Sequence, residues 1–70
     1  MSDTMTVGKS IALLRKQKQM TQQGLAAAVN VSHQAVSKWE SGASEPSTSN
    51  LLAVAKLFDI SPTELLEHLQ

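Results

Sequence analysis

Polar side chains that can form hydrogen bonds recur at helical spacing in the middle of the chain. At 100° per residue, one arc of about 140° on this segment holds only polar, non-acidic residues. They are His33, Gln34, Ser37, Lys38 and Ser41. A glutamine can form paired hydrogen bonds to adenine, and a lysine can donate to O6 and N7 of guanine. The face is therefore able to contact bases and phosphates, although the solvated face of any surface helix has a similar composition.

Two pairs of side chains have a spacing that could bind a metal ion or share a proton. Ser37 follows His33 by four residues, and His68 follows Glu64 by four, so each pair shares one helical face. Neither pair has a third partner in a predicted pocket, and the chain has no cysteine. We therefore expect no enzymatic activity, no metal ion and no cofactor.

The polar face lies on the second of two short helices that a tight turn connects. These helices are predicted over about residues 22–29 and about residues 33–41. Asn30 tolerates the left-handed backbone that ends a helix, Ser32 is suited to cap the next one, and Gly42 is suited to end it. The end of the first helix, the reversal of the chain and the start of the second helix fit into about three residues. This is the arrangement of a helix-turn-helix motif, whose second helix can enter the DNA major groove.

Apolar residues at helical spacing predict further helices on both sides of this motif. One runs from about Val7 to Lys18 and precedes it. A fourth helix begins after Ser47, and a fifth runs from Pro62 to about His68. The residues of the fourth helix expected to point inward are Leu51, Leu52, Ala55 and Phe58. No alternating strand pattern is present, so the sequence predicts an all-α fold of five short helices in a single domain over residues 1–70.

The charges divide the chain into two halves of opposite sign. Residues 1–38 carry five basic and one acidic side chains, whereas residues 39–70 carry one basic and five acidic ones. A zero net charge is unusual for a DNA-binding protein, but this polarity would orient the basic half toward phosphate unless it is chance scatter. The N-terminus has no long apolar run, so we expect a cytoplasmic protein without a membrane segment.

Over about residues 6–66 the sequence resembles the Xre family of Cro- and phage-repressor-like helix-turn-helix domains. The matching residues are Ile11, Leu14-Arg15, Met20-Thr21-Gln22, Leu25-Ala26, Val31-Ser32, Ala35-Val36-Ser37-Lys38-Trp39-Glu40, Gly42, Pro46-Ser47, Leu51, Ala55, Phe58, Ile60-Ser61 and Glu64-Leu65-Leu66. Three positions depart from the family pattern. Gly24 stands where the family usually has glutamate, and Gln19 and Asn30 replace common turn glycines.

The resemblance implies a lambda-repressor-like domain that binds double-stranded operator DNA, usually as a homodimer, with the third helix in the major groove. It favours base contacts from the outer face of that helix, namely His33, Gln34, Ser37 and Lys38. Phosphate contacts are expected from Thr21 and Gln22, which begin the second helix where backbone N–H groups are free, and from Ser41. Gln22 is also placed to brace the start of the third helix.

Two further positions of the family pattern form an ion pair between the first and third helices, and Arg15 and Glu40 occupy them here. We expect this pair to be structural, because it would fix the third helix against its scaffold. Trp39 is expected in the core, since it lies opposite the polar face.

Two classes of function fit the sequence. The first is a sequence-specific transcriptional regulator, with repression the expected sign. The second is a protein-interaction module on the same fold, such as an antitoxin or an adaptor. The neutral net charge leaves room for a protein partner. So do three leucines that lie outside the apolar faces of the predicted helices, namely Leu13, Leu57 and Leu69. A homodimer, with Leu57, Leu66 and Leu69 as candidate interface residues, fits both classes.

Overall fold

Five helices follow one another in the part of the chain that the structure describes. The structure is a computed structural model that describes residues 6–67, with side chains through Leu65. The helices are α1 (Val7–Gln17), α2 (Gln22–Ala28), α3 (His33–Ser41), α4 (Thr48–Leu57) and α5 (Pro62–Glu67). No strand occurs between residues 6 and 67, which confirms the predicted all-α fold. His68, Leu69 and the side chain of Leu66 lie outside this description.

Every one of these helices begins at a serine or threonine whose hydroxyl oxygen accepts a hydrogen bond from a backbone N–H in the first turn. The capping residues are Thr6, Thr21, Ser32, Ser47 and Ser61. At α5 the cap is reciprocal. The N–H of Glu64 donates to Ser61 Oγ at 3.1 Å, and the N–H of Ser61 donates to Glu64 Oε1 at 2.9 Å. Each cap satisfies a backbone donor that the helix itself leaves unpaired.

The first four helices end in the same way, at a residue with left-handed backbone. These residues are Gln19, Asn30, Gly42 and Asp59, with φ of 59°, 61°, 86° and 60°. The following N–H then reaches back to a carbonyl five residues earlier. At the end of α1, for example, the N–H of Met20 donates to the carbonyl of Arg15 at 3.0 Å. This is the Schellman arrangement, and it confirms the reversal predicted at Asn30.

The core lies where the inner faces of the helices meet. Ile11, Leu25, Val36, Val54 and Leu65 are fully buried there. The sequence prediction was wrong for one residue of α4, because Leu52 is 51% exposed. Positions 51, 54, 55 and 58 form the inward stripe, and residue 52 lies about 110° from its centre at 100° per residue. Val54, which the prediction did not include, is buried in this stripe.

The helix with the polar face packs against both α1 and α2. Ala26 of α2 is 3% exposed, and its small side chain permits a close crossing of α2 and α3. On the other side, α1 approaches the end of α3 through the buried Gly8. An added Cβ at Gly8 would overlap the carbonyl oxygen of Trp39 and lie 2.5 Å from its carbonyl carbon. Only glycine leaves room for this approach, so Gly8 sets how closely the two helices pack.

Candidate nucleic-acid interface

The outer face of α3 carries the polar side chains that the sequence placed there. His33, Gln34, Ser37 and Lys38 are all exposed. On the opposite side Val36 is fully buried and Trp39 is 4% exposed, so the tryptophan is a core residue, as predicted. The recognition face is defined here as those four exposed residues, and it contains no carboxylate.

The predicted phosphate contact Ser41 lies at the end of the same helix. Its hydroxyl donates to the carbonyl of Lys38 at 3.1 Å and accepts from the N–H of Ala43 at 3.3 Å. A serine oxygen has two acceptor positions, so one remains while the hydroxyl proton is engaged. Ser41 therefore helps to end the helix, and its phosphate contact stays a prediction.

Arg15 and Glu40 form the ion pair that the sequence anticipated. The guanidinium donates twice to the carboxylate, from Nε to Oε2 at 2.7 Å and from Nη2 to Oε1 at 3.0 Å. A third donor, Nη1, bonds the carbonyl of Met20 at 2.7 Å. The two side chains are 11% and 9% exposed. One arginine thus joins α1, the turn after α1 and the end of α3, which fixes the orientation of α3 relative to its scaffold.

The environment of the Glu40 carboxyl keeps it ionised at neutral pH. Burial raises its pKa, but hydrogen bonds from Arg15 and Gln22 and the positive charges of Arg15 and Lys16 outweigh burial. The net result is a pKa below the ordinary value of 4.5. An ionised carboxylate only accepts hydrogen bonds, so both of its oxygens present acceptors to their neighbours.

Gln22 connects this ion pair to the start of the recognition face. Its amide Nε2 donates to Glu40 Oε1 at 2.9 Å, and its Oε1 accepts from Nε2 of His33 at 3.1 Å. The four residues Arg15, Glu40, Gln22 and His33 therefore form one hydrogen-bonded chain, termed here the relay. The bracing contact between Gln22 and α3 is present, and one amide proton of Gln22 remains for a further acceptor.

Thr21 lies next to the relay at the start of α2. Its Oγ1 accepts from the N–H of Gly24 at 2.9 Å, so it is an N-cap. The hydroxyl proton is not used in that bond, which leaves Thr21 able to donate to an anion as well.

Three contacts of the site were not predicted from the sequence. They are the close approach at Gly8, the bond from Arg15 to the Met20 carbonyl and the bond from Gln22 to Glu40. A glycine near a helix start carries no pattern that distinguishes a tertiary contact from a tolerated residue. A backbone carbonyl partner is equally invisible in a sequence, because every residue has one.

Residues 6–67 contain neither a cluster of metal-binding side chains nor a membrane-spanning helix. No group of three or more histidine or acidic side chains in this range could hold a metal ion. None of its helices combines the length and the apolar character needed to cross a membrane. The Glu64–His68 spacing noted in the sequence extends beyond this range, because His68 lies outside the described residues.

The fold and the recognition face together define a helix-turn-helix domain. The family model described as helix-turn-helix matches residues 11–65. The chain therefore belongs to the helix-turn-helix family and is of the Xre type.

Relatives with known roles support this assignment. The chain is 45% identical over 62 residues to the transcriptional regulator DicA of Escherichia coli strain K12, covering 89% of this chain and 46% of DicA. It is 38% identical over 65 residues to repressor protein C2 of Salmonella phage P22, covering 93% of this chain and 30% of C2. The chain thus spans less than half the length of the curated relatives it matches.

A solved structure of the P22 c2 repressor in complex with a synthetic operator is also similar. It superposes with a TM-score of 0.83 at 39% identity, and the match covers 91% of this chain and 97% of that one.

Proposed function

We propose that this protein is a sequence-specific transcriptional regulator that binds double-stranded operator DNA and acts as a repressor. Its described helices would act as a single DNA-binding domain, with α3 in the major groove, and it would bind without catalysing a reaction. The observation that carries the proposal is the exposed, carboxylate-free recognition face, which the relay holds against a rigid scaffold. The similarity to the P22 repressor, whose structure is an operator complex, supports the same geometry.

The side chains divide into two kinds of contact. Gln34 and Lys38 lie about one turn apart on the recognition face, and both can bond base edges. His33 and Ser37 belong to the same recognition face and are proposed to contact bases as well. Phosphate contacts are proposed for Thr21, Gln22 and Ser41, whose positions flank the face and whose unused donors or acceptors remain available.

We further propose that two copies bind one operator. A single recognition helix reads only a few base pairs, so tight binding calls for a symmetric dimer on half-sites about 10 bp apart. Leu57 is 39% exposed on α4, in the acidic half, and pairing there would leave the basic half free for DNA. Leu66 and Leu69 stay candidates on the sequence alone. A regulator of this kind would act in the cytoplasm, where operator DNA is accessible.

The decisive experiment is selection of bound sites from random duplex DNA, followed by competition binding of variants. Gln34→Ala and Lys38→Ala should each lose about 1–3 kcal/mol on the selected site and relax the preference at particular base pairs. Lys56→Ala is the matched control for Lys38→Ala, because it removes the same charge from an exposed position on α4. A selected site without two-fold symmetry would contradict the dimer. Unchanged preference in Gln34→Ala would contradict the proposed reading of α3.

A protein partner is the second candidate, and one observation favours it. Leu13 is 39% exposed on α1, in a shallow groove that Lys9, Lys16 and Glu40 also line. An apolar side chain between two lysines could accept an acidic partner. If no duplex is selected from the random pool, this reading replaces the regulator.

A further inference from the structure

We propose that His33 selects adenine or cytosine, because the relay fixes its ring with Nε2 as a donor and Nδ1 as a bare acceptor. This inference rests on the proposed function, since it names the base edge that one residue of the recognition face reads. Among the other residues of the recognition face, Gln34 and Ser37 can each donate or accept, and Lys38 only donates.

The Glu40 carboxylate fixes the orientation of the Gln22 amide. The Glu40 carboxylate is held by two bonds from Arg15 and offers only acceptors. The atom of Gln22 that faces it at 2.9 Å must therefore carry a proton, so it is Nε2. The opposite orientation would place two oxygen acceptors against each other without a proton between them. Gln22 is consequently forced to point Oε1 at the imidazole.

The amide oxygen of Gln22 in turn fixes which nitrogen of the His33 ring carries the proton. An amide oxygen has no proton to donate, so the 3.1 Å contact to His33 is a hydrogen bond only if Nε2 of the ring carries the proton. A neutral imidazole has one N–H, and Nδ1 is then an acceptor. Within residues 6–67, no protein group occupies Nδ1 of this exposed ring. The charge on Glu40 thus determines, through Gln22, what His33 offers to a ligand.

An acceptor at Nδ1 distinguishes between the bases of the major groove. Adenine N6 and cytosine N4 are donors there, although adenine also has an acceptor at N7, whereas guanine N7 and O6 and thymine O4 are all acceptors. An acceptor at Nδ1 can form a hydrogen bond to adenine or cytosine, whereas guanine and thymine present no donor to it. One hydrogen bond gained or left unpaired corresponds to a discrimination of about fivefold to tenfold. A histidine without the relay could exchange its proton between the two nitrogens and would discriminate less.

The proposal changes the role of Gln22. As a phosphate contact alone, it would affect all sequences equally. As part of the relay, it also fixes the base preference at the position that His33 reads, without touching that base. Gln22 is thus a positioning residue, and its removal should relax one position of the site in addition to weakening binding overall.

The test has one measurement on the free protein and one on the complex, both at pH 8, where histidine side chains are ordinarily neutral. Long-range nitrogen–proton NMR spectra of the unbound protein report which ring nitrogen of His33 is protonated. We expect the proton on Nε2 in the wild type and a mixture of the two tautomers in Gln22→Met. Gln23→Met, the same change at the neighbouring exposed residue of α2, should match the wild type. A proton on Nδ1 in the wild type overturns the proposal.

The second measurement is the base preference at the position that loses its preference in His33→Ala. The wild type and Gln23→Met should favour adenine or cytosine there by about fivefold to tenfold, and Gln22→Met should favour them by less than about twofold. A wild-type preference for guanine or thymine, or a full preference in Gln22→Met, overturns the proposal. If no duplex is bound, the proposed function fails and the base reading fails with it, while the NMR result still decides whether the relay sets the tautomer. Because the wild-type NMR measurement needs no variant, the test holds even if Gln22→Met does not fold.

Discussion

Replacing Gly8 with alanine should destabilise the protein, whereas the same change at Gly24 should not. Both glycines lie in the first turn of a helix, and alanine is favoured over glycine in helices by up to about 1 kcal/mol. The difference between them is tertiary. A Cβ at Gly8 would lie 2.5 Å from the Trp39 carbonyl carbon, and a Cβ at Gly24 would meet only the Thr21 hydroxyl oxygen, at 3.2 Å.

The magnitude follows from the displacement that alanine requires. Carbon atoms pack at about 3.5–4.0 Å, so relieving the contact with the Trp39 carbonyl carbon alone moves α1 at least about 1 Å away from α3, and the overlap with the carbonyl oxygen requires a larger displacement. A gap of that size forfeits about a quarter to a half of each dispersion contact across the interface between α1 and α3. Forcing extra volume into a packed core costs about 1–3 kcal/mol, occasionally more. We therefore expect a loss of about 2 kcal/mol or more for Gly8→Ala.

Such a loss would be easy to measure. A chain of 70 residues has a total stability of about 4–10 kcal/mol, and a loss of 2 kcal/mol lowers the Tm of so small a domain by about 10 °C. The fluorescence of Trp39, the only tryptophan, reports unfolding in urea or on heating. Gly24→Ala should be as stable as the wild type or up to about 1 kcal/mol more stable. If Gly8→Ala matches the wild type, the backbone contact between α1 and α3 is not as close as described.

Three further predictions concern the scaffold. Arg15→Met and Glu40→Gln should each lower the free energy of unfolding by about 2–4 kcal/mol, because each change leaves one partner of the ion pair unpaired. The double variant should therefore lose less stability than Arg15→Met alone. Strictly additive losses in thermal unfolding would exclude this coupling. The stabilisation from ionised Glu40 is complete above its unfolded pKa of about 4.5 and should fade as the pH falls toward the lower folded pKa, so the Tm of the wild type should fall more steeply there than that of Glu40→Gln. Gln19→Gly should raise the free energy of unfolding by about 1 kcal/mol, because glycine adopts a φ of 59° without strain, and a loss measured in urea would contradict this reasoning.

The helix boundaries could be predicted because their causes are local. A hydroxyl at Ser32 and an amide at Asn30 act on backbone groups within a few residues, so the sequence alone indicated the turn between α2 and α3. The buried side chains were harder to predict, because a helical wheel gives the angles between residues and does not show which direction faces the core. Leu52 was assigned to the inner face for that reason and is exposed.

The candidate site divides along the same line. The residues of the recognition face follow from helical periodicity, and the Arg15–Glu40 pair was anticipated from the family resemblance. The approach at Gly8 and the hydrogen-bond polarity of His33 depend on distances between helices, which no pattern in the sequence encodes.

The residues with left-handed backbone that end the first four helices favour rapid folding of the chain. Because the first four helices are both begun and ended by bonds among near neighbours, their limits are specified before any two helices meet. The connections between them are short, so bringing successive helices together closes only small loops and costs little chain entropy. Domains with such local contacts fold in microseconds to milliseconds. Kinetic measurements should therefore find a rapid search in which docking of α1 onto α3, rather than helix formation, limits the rate.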